Sequence, residues 1–110
     1  MAMEISLKIH AVLDKLEMVF KRNDEPGSNP SALNQVRSLC IDIKGHHSYI
    51  TDKASRISTL AGIYYSPRQY LKHPGGHGLL MAEMSFQLLN AIRSQVDYLD
   101  SLPQNQQLDD

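Results

Sequence analysis

The chain has no tryptophan, two phenylalanines and a single cysteine in 110 residues. A lone Cys40 excludes an intrachain disulfide and points to a reducing compartment. So few large aromatics leave the core to aliphatic side chains and methionine. Long apolar runs are missing too. None approaches the ~18 residues that a membrane span needs, and the opening MAMEISLKIH carries charge where a secretion signal needs an unbroken apolar stretch. A cytoplasmic protein without a membrane partner is expected. An excess of charge is also lacking, with 11 cations against 12 acids, so direct nucleic-acid binding is not expected. No glycine follows a strand in phosphate-cradling spacing, and no serine, cysteine or histidine is paired with a base. Neither catalysis nor a cofactor is expected.

What the sequence does contain is helical periodicity. Its length suits one domain, assigned to residues 1–102, with the polar tail PQNQQLDD from Pro103 expected to be disordered. Residues 4–21 read as a first helix on the spacing of Ile5, Ile9, Val12, Leu16 and Val19. Arg22 to Ser31 is turn chemistry, closing on Asn29-Pro30, an N-cap followed by proline at the first helical position. From there Leu33, Val36, Cys40, Ile43, His47, Ile50, Ala54, Ile57, Ala61 and Tyr64 step by threes and fours without slipping. That unbroken phase favours one long helix over about 30–65, bent at Gly45. Ser66-Pro67 ends it. Pro74-Gly75-Gly76 is the sharpest break in the next connector, which leaves room for a short turn at Arg68–Lys72. The expected fold is all-α: an antiparallel hairpin of two long helices plus a shorter N-terminal helix, in a dimeric bundle.

The dimer is expected from the last helix, about His77 to Leu102. Glu83, Gln87, Asn90, Ser94, Asp97 and Ser101 draw one narrow polar stripe down it, and the rest of its circumference is apolar. A helix resting on one partner needs an apolar arc of about 100°; this one has roughly twice that. Burying about 400 Å² of the surplus at about 25 cal/mol per Å² is worth roughly 10 kcal/mol gross. A second copy is the simplest cover. The expected interface is Leu79, Met81, Ala82, Met84, Phe86, Leu88, Leu89, Ile92, Val96 and Leu99.

Charge is unevenly spread. Residues 37–77 hold six cations against two acids, a net +4, and residues 78–110 hold one cation against five acids, a net −4. Two mutually attracting faces explain this most simply. Four of the five histidines, His46, His47, His73 and His77, raise the question of a metal. However, Pro74-Gly75-Gly76 interrupts the pair spaced four apart, and Cys40 sits on the apolar seam, so no metal site is expected. Tyr64, Tyr65 and Tyr70 read as cover over a helix end rather than as base-stacking platforms. Arg68 and His73 match the Arg-x4-His spacing of the HEPN ribonucleases. That resemblance would imply an RNA-cleaving site assembled across a dimer, but prolines bracket the motif here where the family has it on a helix.

CIDIKGHHSYITDKASRISTLAGIYY, residues 40–65, followed by the Gly75-Gly76-His77 turn and a Met-, Ser- and Ala-containing last helix, resembles the TraM-type quorum-sensing antiactivators. The likeness covers roughly residues 33–102 and rests on Ile41-Asp42, His47, Lys53-Ala54 and Tyr65. Gly45, the N-terminal helix, and Asp97 and Asp100 depart from the pattern. The resemblance implies a homodimer that binds a LuxR-type transcription factor and keeps it from DNA, without catalysis or cofactor. A phage- or plasmid-encoded inhibitor of a host protein is the alternative from the same interaction class.

Overall fold

A computed structural model of the chain describes residues 1–103; its only secondary structure is helical, and no strand occurs among the described residues. The all-α expectation holds. From 104 onward the expected polar tail lies outside the described residues.

Helix α1 runs Met3–Arg22 and buries Ile9, Leu13, Leu16 and Phe20 on one stripe. Glu4 in its first turn and Lys21 and Arg22 in its last complement the helix dipole. Helix α2 runs Pro30–Asp42, and Asn29 caps it as its sequence promises: Asn29 Oδ1 accepts from the Ala32 amide at 3.1 Å. Helix α3 runs Ser48–Tyr64. The single long helix expected over 30–65 is therefore two helices. Between them Gly45 has φ +90°, a left-handed conformation that a side chain resists, and its amide donates to Thr51 Oγ1 at 2.9 Å. His47 starts the second helix by accepting the Tyr49 amide on Nδ1 at 3.2 Å. The phase survives the bend because both helices turn their stripes to one core. Ile43 before the bend and Ile50 after it are both fully buried. A shared phase records a shared core, not a continuous rod.

A 3-10 turn, Gln69–Lys72, leads to the last rod. Gly75 there has φ +86°, a left-handed conformation that favours glycine, and a Cβ on it would push the Leu79 side chain aside. The rod consists of α4 (Gly76–Ala82), a π turn (Glu83–Gln87) and α5 (Leu88–Ser101). Helix α1 lies beside α2 and α5, and α3 lies beside α2 and α5. The four make a two-by-two array 47 Å long and 25 × 20 Å across, as helices of about 10 Å diameter require. The expected hairpin with a strut is thus an antiparallel four-helix bundle.

The connector after α1 is latched over the end of α3. The amides of Gly27 and Asn29 donate to the Tyr64 and Tyr65 carbonyls at 2.9 and 3.2 Å, satisfying helix-end acceptors. In return, the Tyr64 hydroxyl donates to the Asp24 carbonyl and the Tyr65 hydroxyl to the Asn23 carbonyl, the latter at 2.8 Å. Both rings are buried and stacked edge to face, covering a helix end as their sequence position suggests.

Candidate functional site

The ten residues expected at an interface divide. Met84, Leu88, Leu89, Ile92, Val96 and Leu99 are buried in the protomer's own core, so they are not available to a second molecule. The correction has a geometric cause. The last rod packs against both α1 and α3, two partners from its own chain. Met81 and Ala82 are half-buried, and only Leu79 (52% exposed) and Phe86 (67%) face solvent.

The π turn explains why the apolar arc looks so wide. Leu80, Met84, Leu88, Ile92 and Val96 all reach the core, four residues apart at every step. In an α-helix each such step overshoots a turn by about 40°, so four of them would drift about 160° round the cylinder. The wider turn at Glu83–Gln87 holds an extra residue and takes back about 100° of that drift. The buried face, which also takes in Leu89 and Leu99, is therefore narrower than regular winding makes it look.

Helix α1 and the last rod run antiparallel and meet through a ladder of polar pairs. Ser6 Oγ donates to Asp100 Oδ1 at 2.7 Å. His10 Nε2 stands 3.3 Å from Asp97 Oδ1. Arg93 Nη2 donates to both Asp14 Oδ1 and Glu17 Oε1 at 2.8 Å. Burial pulls the Arg93 pKa down, but the hydrogen bonds and charges of Glu17 and Asp14 outweigh it and raise the value above the ordinary one. Past Arg93 the ladder stops and a groove of about 450 Å³ opens. Phe20, Met81 and Phe86 supply its apolar surface, Ser85 and Asn90 its polar wall, and Glu17, Lys21 and Asp24 its charged rim. Ser85 Oγ in the π turn donates back to the Met81 carbonyl of α4 at 2.8 Å, and Glu83 holds the turn to α3 through Arg56 at 3.0 Å. Two expected interface residues, Met81 and Phe86, meet here. Phe20, Lys21 and Asp24 were not foreseen, because nothing in the sequence marks which end of α1 lies beside residue 86.

The other candidates are placed apart. Arg68 and His73 flank the two ends of a 3-10 turn instead of sharing an α-helix face. His46 and His47 lie in the α2–α3 bend, far along the chain from His73 and His77, and no three His, Cys, Asp or Glu side chains converge among the described residues. Cys40 is fully buried, and that burial pushes its thiol up to about 12, so it stays protonated and unreactive at neutral pH. Among the described residues no helix is long and apolar enough to cross a membrane. Of the oppositely charged segments, Arg56–Glu83 is an ion pair that joins them directly; the acid Asp97 and the cation Arg93 of the last helix turn to α1 instead. No known protein family, curated protein or solved structure matches the chain.

Proposed function

We propose that the protein is a non-catalytic, homodimeric interaction module that docks through the groove between α1 and the π turn. The observation that carries this reading is Phe86, a large aromatic two-thirds exposed beside an apolar floor of Phe20 and Met81. Aromatic anchors set beside desolvated pockets dominate interface energetics, and π turns recur at functional sites. A second copy placing its own Phe86 in the groove makes a self-complementary contact that closes on itself. Lys21 and Asp24 on the rim would set orientation and association rate more than affinity.

The resemblance to the TraM-type antiactivators supplies the class of regulated target, a LuxR-type transcription factor held off DNA. Sedimentation equilibrium of the wild type and of Phe86→Asp is the test. A wild-type dimer at micromolar concentration that becomes a folded monomer on substitution supports the reading, and a wild-type monomer removes it. Loss of a LuxR-type factor's operator binding when the protein is added tests the regulatory part separately.

A further inference from the structure

The opposite flank of α1 carries a second, differently built trough. Lys8, Lys15 and Arg22 stand seven residues apart, two helical turns at each step, so they share one edge of α1. Ala11 and Met18 alternate with them at steps of three and four. That edge borders α2, where a depression of about 380 Å³ is lined by Lys15, Met18, Val19 and Arg22 from α1 and Gln35, Ser38 and Leu39 from α2. The floor is apolar: Val19 is buried, Leu39 half-buried and Met18 46% exposed. The lining contains no acid. Among the described residues no ion pair engages Lys8, Lys15 or Arg22, whereas Asp14 and Glu17 turn the other way to Arg93. Glu4 ends the basic row at its N-terminal side.

We propose that this trough docks an acidic amphipathic helix from a partner protein, seating apolar side chains on Met18, Val19 and Leu39 and acids against Lys8, Lys15 and Arg22. The basic row spans about 21 Å, so the ligand helix needs about four turns. Its acids must recur every seven residues, because a helix presents such positions about 10.5 Å apart, the same pitch as the cations it meets. Apolar contact supplies affinity, and the cations supply direction and rate. A nucleic-acid strand fits less well: it offers phosphates at about a third of that spacing along its axis and no apolar stripe for the floor. A second copy fits less well too. The acids two heptads apart on this chain's last helix, Glu83 and Asp97, already face Arg56 and His10. This inference stands independently of the groove beside Phe86.

Fluorescence anisotropy with a labelled peptide of about 18 residues, glutamates at heptad spacing beside a leucine stripe, tests it. The same peptide with its glutamates scrambled, and a short DNA duplex, serve as comparisons. The patterned peptide is expected to bind at least about tenfold tighter than either comparison. Lys15→Glu with Arg22→Glu, and separately Met18→Asp, should each lose about tenfold in binding while retaining the helical circular dichroism of the wild type. A peptide with lysines at the heptad positions should bind the charge-reversed variant. Phe86→Asp should leave peptide binding unchanged. Equal binding of the scrambled peptide, tighter binding of the duplex, or indifference to the α1 substitutions would each overturn the proposal.

Discussion

From Ser6 to Glu17, α1 is held to the last helix by polar pairs at successive turns; from Phe20 to Asp24 the chain instead flanks a groove with an apolar floor and a charged rim. Both halves border one core and belong to the same helices, so propensity and burial do not explain the difference. Side-chain chemistry does. Asp100, Asp97 and Arg93 return to the α1 side at regular α spacing and carry charge to meet Ser6, His10, Asp14 and Glu17. Asn90 and Phe86 keep to the same side at the next steps of three and four, but there they line a groove with Phe20, Lys21 and Asp24. Within the π turn Glu83 faces α3, and Phe86 is left exposed.

The sharpest way to separate the halves is to damage what lies beneath one of them. Ile92→Ala, fully buried under the ladder, should cost about 2–5 kcal/mol of unfolding free energy in urea titration. Phe86→Ala should barely change that quantity but weaken self-association by about 2 kcal/mol, roughly 30-fold in Kd by sedimentation. Equal effects of the two on stability would erase the contrast.

Tyr65→Phe removes one hydrogen bond from the latch at the open end and should cost about 1–1.5 kcal/mol. Burial first, then the charges of Tyr64 and Asp24, raise the Tyr65 pKa above the ordinary phenol range. The folded protein therefore holds that proton where the unfolded chain has released it, and stability falls as pH rises through and beyond the ordinary phenol pKa. Alkaline unfolding should be shallower in Tyr65→Phe than in the wild type. Arg93→Ala strands two carboxylates that are themselves largely hydrated, and should cost about 1 kcal/mol. His10→Ala, at the most solvent-screened rung, should cost no more than about 0.5 kcal/mol. A loss at His10 larger than at Arg93 would mean that the ladder is not graded by burial.

Local chemistry was legible in the sequence. Asn29-Pro30 starts α2 because a side-chain acceptor and a missing amide do their work within one turn. Gly75 marks the start of the last rod because its left-handed φ favours glycine. What depends on counting neighbours was not legible. The buried stripe through Ile43 and Ile50 was correctly read as core, but its phase does not report whether Gly45 bends or breaks the helix. The wide apolar arc of the last helix points to a second copy as its cover, because periodicity has no means of saying that α1 and α3 of the same chain both lie against it. Hence six of the ten expected interface residues lie inside the protomer. The groove itself escaped notice because the drift that signals a π turn, four successive steps of four, looks identical to an oversized apolar arc when drawn at 3.6 residues per turn.

The π turn makes the chain unusually forgiving at one place. It stores one residue beyond what regular winding needs, so losing any single residue between Glu83 and Gln87 would let the rod tighten into plain α-helix with Leu80 and Ile92 still facing inward. The same deletion one turn further on would swing everything downstream by about 100° and tear Val96 and Leu99 from the core. A shortened version of this segment would keep its helical course while giving up the extra residue of the turn that carries Phe86.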